Sequence, residues 1–245
     1  PHLLVMSATP IPRTLALTLY GDLDISTISQ LPAGRQKILT RWVPPHKRDA
    51  ANDFVRGQIR LGRQAFIICP LIEESETIEA KAAIVEYERL SETVFPDLRL
   101  GLLHGKMSSK EKETVMAQFH QGELDILVST PVVEVGIDVP NATIMMIEAA
   151  HRFGLSQLHQ FRGRVGRGQH KSYCFLLAED PSSMARERLS AIEQIHDGFR
   201  LAEVDLSLRG PGDLFGTRQS GLPNLRMARL SDQDILAKVK QESLK

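Results

Sequence analysis

The sequence predicts an α/β fold: a parallel sheet with helices on both faces, followed by a helical hairpin and a C-terminal extension. Three observations predict it. Short, nearly continuous apolar runs alternate with amphipathic stretches of helical length, the pattern of a parallel sheet buried on both sides. Gly and Pro cluster between these runs, where turns belong. Beyond Pro181 the apolar runs stop, and two helical stretches lead into the Gly-rich string RGPGDLFGTRQSG.

The elements follow in order. Residues 3–6 read as a strand end, then SATPIPRT as a loop, then 14–20 as a helix. KILTRWV (37–43) reads as a strand between proline-punctuated turns, and residues 46–62 as an amphipathic helix closed by Gly62. QAFIICPLI (64–72) is a buried strand and residues 77–94 a helix. LRLGLLHG (98–105) is a strand with its exit loop, and residues 108–123 are a helix capped by Ser108 or Ser109. LDILVST (124–130) and ATIMMIEA (142–149) are strands, residues 154–167 carry a helix, and KSYCFLLAE (171–179) is a strand. Helices are expected over 181–196 and about 200–209, and a short polar one closes the chain. In sheets of this kind ligands sit beyond the carboxyl ends of the strands. The loops after LLHG and LVST are therefore the places to seek chemistry.

Bulk composition sets limits. The 245 residues are 42% hydrophobic and 24% charged, enough for a core in one large domain or one domain with an appendage. The formal net charge is zero, so contact with nucleic acid must come from local placement of Arg and Lys. Cys69 and Cys174 each stand alone in an apolar run. They read as core thiols, with no spacing for zinc or a disulfide framework, which fits a reducing, cytoplasmic setting. No apolar run approaches the ~20 residues that span a bilayer, so no membrane partner is expected. The chain opens mid-strand in character without a starting Met and is read as a piece of a longer protein.

Gln160-Phe-Arg-Gly-Arg-Val-Gly-Arg167 is the strongest local signal. Its arginines are separated by glycines, which leave the guanidinium groups unshielded. Planar guanidinium forks suit phosphate and can offset the charge that builds in phosphoryl transfer. A solvated basic helix end or an RNA-binding arginine cluster explains the composition equally well. Ser129 and Thr130 place hydroxyls at a strand exit, suited to a phosphate oxygen. Asp138 follows Gly136-Ile and offers an acceptor for a ribose hydroxyl, or is a turn residue. His104-Gly-Lys-Met107 is another strand exit and, by itself, a turn. Glu73, Glu74 and Glu76 read as a solvated helix start rather than a metal site; no metal ligands are assigned.

These strings together resemble the motifs of superfamily 2 helicases. Gln-x-x-Gly-Arg-x-Gly-Arg is similar to the sixth motif, and all five fixed positions match. The resemblance makes Arg164 and Arg167 arginine fingers that reach ATP held by another lobe, and Gln160 a coupling residue. Arg162, outside the fixed pattern, is left as a hairpin or DNA contact. The string from Ser129 to Pro140 is similar to the fifth motif. That makes Thr130 and Glu134 DNA or coupling residues, and puts Gly136 and Asp138 on the nucleotide side. His104 and Lys106 fall where such motors touch the nucleic-acid backbone. Ser7-Ala-Thr-Pro is similar to the third motif, with Ser7 and Thr9 coupling hydrolysis to strand movement, and that motif belongs to the first lobe.

Residues 198–221 resemble the translocation segment shared by the RecG family and the transcription-repair coupling factor, with matches at Arg209 and Gln219 and, upstream, at Arg188. AFIICPLIEESE, LTLYGDLDISTISQLPAGR and RGPGDLFGTRQSG favour the RecG family. The implied organisation is the tail of a first lobe (1–30), a second RecA-like lobe (31–180), and a helical hairpin with translocation segment (181–245). The implied activity is ATP-dependent remodelling of branched duplex DNA, such as stalled forks and Holliday junctions. ATP and Mg2+ would be bound mainly by the first lobe, and a single-strand DNA-binding protein is a further partner. The string Gly-x-x-x-x-Gly-Lys-Ser/Thr, which cradles phosphates in such motors, does not occur, so the chain alone is expected not to hydrolyse ATP. Two alternatives stand beside this: a translocase of the coupling-factor type, and a non-motor nucleotide- or DNA-binding module. The second predicts a Gly-x-Gly-x-x-Gly turn after a strand, which the sequence lacks.

Overall fold

A computed structural model of the chain describes residues 4, 37–70, 76–131 and 139–209. Within them the strands are β1 (Leu39–Val43), β2 (Gln64–Ile68), β3 (Leu100–Leu103), β4 (Ile126–Ser129), β5 (Ala142–Ile147) and β6 (Tyr173–Leu177). The helices are α1 (Arg48–Arg60), α2 (Glu76–Arg89), α3 (Ser109–His120), α4 (Leu155–Arg162), α5 (Ser183–Gln194) and α6 (Gly198–Arg209). The strands form one sheet in the order β1-β6-β5-β2-β4-β3, and every pairing is parallel.

β2, β4 and β5 are buried along their whole length, as strands covered on both faces must be. Side chains alternate across the sheet, and β2 shows the two layers. Ala65 and Ile67 join Val55 and Ile59 of α1, Ile126, Val128, Ile144 and Met146 in one core. Phe66 faces the other way and meets Phe119 of α3, with ring centroids 5.0 Å apart. α1 and α3 therefore cover opposite faces. Each fully buried Val, Ile, Met or Phe among these side chains contributes about 1.5–3 kcal/mol.

Local chemistry sets the ends of the elements. Gly62 closes the turn after α1 at φ +78°, where an L side chain is strained. Ser108 caps α3 through a capping box, its hydroxyl accepting from the Glu111 N–H while the Glu111 carboxylate accepts from the Ser108 N–H. α2 runs into a π-helical turn, Leu90–Val94, rather than continuing as one helix to 94. Arg56 of α1 holds this turn through the Val94 carbonyl and Asp97. The two sheet edges also carry side-chain bonds. The Trp42 N–H on β1 donates to Glu193 Oε1 of α5 at 2.8 Å, and Tyr87 Oη of α2 donates to the Leu100 carbonyl on β3 at 3.3 Å.

Residues 31–196 form one compact unit. α5 packs on β1 and α4 within it, so the unit closes 16 residues beyond the boundary at 180 drawn from sequence. Residues 1–30 and 197–245 belong to a second unit. Its described helix, α6, buries Leu201, Ala202 and Asp205. No helix among the described residues is long and apolar enough to cross a membrane.

Candidate nucleotide and nucleic-acid site

The strand register brings two predicted residues together. Leu103 of β3 is paired with Ser129 of β4, so His104 and Thr130 leave the sheet side by side. The Thr130 N–H donates to the Leu103 carbonyl at 3.2 Å. The Thr130 Oγ1 and His104 Nδ1 are both buried without a hydrogen-bond partner. Orphaned polar atoms of this kind cost stability unless something satisfies them. Burial lowers the His104 pKa below the usual imidazole value, and Lys112 and Lys106 lower it further against the opposing pull of Glu111. Lys112 Nζ donates to the Gly105 carbonyl at 2.8 Å, whereas Lys106 is exposed. Glu134, Gly136 and Asp138 lie outside the described residues, as do Ser7, Thr9, Gln219 and the carboxylates Glu73 and Glu74.

The arginine-bearing segment is built on α4. Leu155, Leu158 and Arg162 are its buried positions, and their spacing of three and four puts them on one face. Phe153 and Phe161 pack edge to face at 5.3 Å beside it. The 3-10 turn Ala150–Arg152 that precedes the helix starts from Ala149, a non-glycine residue at φ 44° of the strained kind found near functional sites. Gln160 is exposed. Beyond the helix, Gly166 has φ +76°, and a Cβ there would stand 2.9 Å from Ile38. A Cβ on Gly168 would stand 2.5 Å from the carbonyl oxygen of Pro140. The loop thus needs glycine at 166 for conformation and at 168 for close approach. On this loop Arg164 is half-buried and Arg167 exposed, with Arg167 Nε donating to the Gly163 carbonyl at 3.4 Å. Burial lowers the Arg164 pKa, and the positive charge of Arg167 adds to it. Two guanidinium groups share one small region.

Arg162, read from sequence as a hairpin or DNA contact, meets the first helix of the expected hairpin. It is 3% exposed, and its guanidinium is directed inward onto backbone carbonyls at the end of α5. Arg188 is also occupied: it donates to the carbonyls of Phe153 and His151 at 3.4 and 3.2 Å, tying α5 to the turn that leads into α4. The backbone of Arg209 ends α6.

Two features were not legible in the sequence. Arg48 at the start of α1 makes a two-pronged ion pair with Glu148 at the exit of β5, at 2.8 and 2.7 Å. Beside it a cavity of about 840 Å³ opens at the carboxyl ends of β2, β5 and β6. Its lining includes Lys81, Arg89, Glu86 and Glu179, a balanced set of charges. The second feature is the approach of Gly168 to Pro140. The thiols are inert: burial raises the pKa of Cys69 and pushes that of Cys174 up to about 12.

The parallel sheet, the paired strand exits and the glycine-fixed arginine loop define a RecA-like helicase lobe. The chain belongs to the helicase conserved C-terminal domain family, whose model matches residues 46–169. Its particular likeness is to ATP-dependent DNA helicases of the RecG type. A model of RecG domain 3, C-terminal, matches residues 195–245. The chain is 54% identical to RecG of Synechocystis sp. over 96% of its own length and 28% of that protein. It is 53% identical to RecG of Bacillus subtilis, over 93% of the chain and 33% of that protein. The chain therefore spans a third or less of these relatives. A structure of RecG bound to a three-way DNA junction superposes with a TM-score of 0.73 at 49% identity, over 94% of the chain and 30% of that protein. The second domain of the DEAD-box helicase Mss116p, bound to an RNA duplex, shares the fold, with a TM-score of 0.50 at 20% identity over 64% of the chain and 60% of that protein.

Proposed function

We propose that the chain is the second motor lobe and adjoining C-terminal segment of an ATP-dependent DNA helicase that remodels branched DNA. The observation that carries this reading is the pair Arg164 and Arg167, held on a glycine-fixed loop and near enough for one charge to act on the other. Such a pair fits the polyphosphate of a nucleotide. ATP supplies a terminal phosphoryl group on which negative charge spreads during transfer, and the two guanidiniums stabilise that charge. Gly136 and Asp138 serve the nucleotide side, Gln160 couples the finger helix to it, and Mg2+ belongs to the first lobe.

His104, Thr130, Lys106 and Glu134 serve the DNA side. The orphaned Oγ1 and Nδ1 at the ends of β3 and β4 support this, because a phosphate oxygen would satisfy the hydroxyl. Arg188, Arg209 and Gln219 serve DNA binding or its coupling to hydrolysis, with Ser7 and Thr9 coupling from the first lobe. Residues 1–30 are the end of that lobe, and the segment after the second lobe is the translocation unit. Branched DNA is the substrate, a single-strand DNA-binding protein a further partner, and the cytoplasm the setting.

The test is ATP hydrolysis by the whole helicase, with and without branched duplex DNA. Arg167→Ala is expected to lower DNA-stimulated turnover by about 10³-fold or more. Gln219→Ala is expected to keep hydrolysis and lose fork unwinding. Normal unwinding by both variants overturns the reading. The 245-residue chain by itself is expected to show no ATP hydrolysis.

A further inference from the structure

Arg162 is the one buried arginine among the described residues, and no ion pair among them involves it. Its Nη1 donates to the carbonyls of Ile192 and Ile195 at 2.8 and 2.9 Å. Its Nη2 donates to the His196 carbonyl at 3.2 Å and meets His159 Nδ1 at 2.7 Å. The last carbonyls of a helix have no partner within it, and that end of the helix favours a cation. α5 has no basic residue in its own last turn and ends at Ile195 in extended backbone. The cation that completes it comes from α4.

α4 is eight residues long, and Arg162 is its last residue and its last buried side chain. Leu155 and Leu158 hold the first half of the helix by non-directional packing. Bonds to three backbone carbonyls fix the second half in translation and in roll. Arg164 follows two residues on, past Gly163, and Arg167 three residues after that. The depth at which those two side chains stand is set where the helix is tied down.

We propose that Arg162 is a positioning residue for phosphoryl transfer, locking the finger-bearing helix to the carbonyl end of α5. The inference rests on the finger reading of Arg164 and Arg167. A displacement of about 1 Å in reacting geometry can cost about 10²-fold in rate. Nucleotide affinity, set mainly by the other lobe, stays nearly unchanged.

The experiment measures kcat and KM for ATP at saturating branched DNA, together with Tm, in the whole helicase. Arg162→Met keeps the length of the side chain and removes the donors. It is expected to lower kcat by about 10- to 100-fold while KM stays within about threefold. Arg162→Lys, which restores the charge without the planar fork, is expected to recover part of the loss and to stay about threefold or more below parental turnover. Leu189→Ala opens a cavity in α5, where Leu189 is fully buried, and is expected to lower Tm comparably with kcat within about twofold, unlike a positioning defect. Parental kcat in Arg162→Met, or an equal kcat loss in Leu189→Ala at equal Tm, overturns the inference. If Arg162→Met does not fold, Arg162→Lys decides: turnover reduced about threefold or more supports the role, and parental turnover overturns it. Arg167→Ala separates the two ideas. Lost turnover there with normal turnover in Arg162→Met overturns the positioning role alone. Parental turnover in Arg167→Ala overturns the finger reading and this inference with it.

Discussion

Gly168→Ala perturbs the arginine loop without touching an arginine. The added Cβ would lie 2.5 Å from the Pro140 carbonyl oxygen and 3.3 Å from its carbonyl carbon. Ordinary contact begins at 3.4 Å, so the two backbones must part by about 0.9 Å, and neither is a flexible side chain that can swing aside. Overpacking of this kind costs about 1–3 kcal/mol. A shift of that size beside Arg167 is also enough to lower turnover by about 10²-fold. Urea unfolding of the chain reads the first quantity, and DNA-stimulated hydrolysis by the whole helicase reads the second. Gly57→Ala is the matched control, because Gly57 is exposed within α1 and a Cβ there has nothing within 4 Å. It should stabilise by about 0.5–1 kcal/mol through helix propensity. If Gly168→Ala unfolds at the same urea concentration as the unsubstituted chain and turns over normally, the close approach does not constrain the loop.

Further outcomes follow from particular contacts. Ser108→Ala removes the capping box of α3 and should cost about 0.5–2 kcal/mol in urea unfolding; no change would mean the cap is idle. Burial alone would raise the Asp125 pKa, but bonds from the Arg99 side chain and N–H, with its charge, outweigh it and hold the carboxyl below the usual range. A depressed carboxylate stabilises above its unfolded pKa, near 4, and loses that stability as pH falls through the folded one. Asp125→Asn should therefore flatten the acid limb of stability below about pH 4, and an unchanged limb in a pH-dependent melting series would refute the pair's role. Cys69 and Cys174 should resist a maleimide in the folded chain and both react in denaturant, as counted by mass spectrometry. Rapid labelling of the native chain would contradict their burial.

The sheet was legible because every strand between 37 and 179 announces itself as an apolar run between turn residues. Its boundaries were less so. QAFIICPLI looks like one strand to 72, yet β2 ends at Ile68, before Pro70, which has no N–H to give a ladder. The π turn that ends α2 is bonded by Arg56, which reaches Val94 from α1, a partner no local pattern contains. The arginine loop was legible as a string, and glycine at 166 and 168 as a need of the backbone was not, since it depends on Ile38 and Pro140. The burial of Arg162 was hidden for the same reason. One arginine among several is indistinguishable by composition, and what buries it lies 30 residues downstream. The spacing of Leu155, Leu158 and Arg162 held the available signal, because it puts all three on one helical face.

The bonds from Glu193 and Tyr87 to the outer strands bear on how the lobe meets its neighbours. A bare strand edge, with its row of unpaired N–H and C=O groups, invites another strand. With Trp42 and Leu100 already engaged, each rim of the sheet resists being lengthened by a foreign strand. Rims occupied in this way keep neighbouring molecules from being stitched edge to edge into fibres.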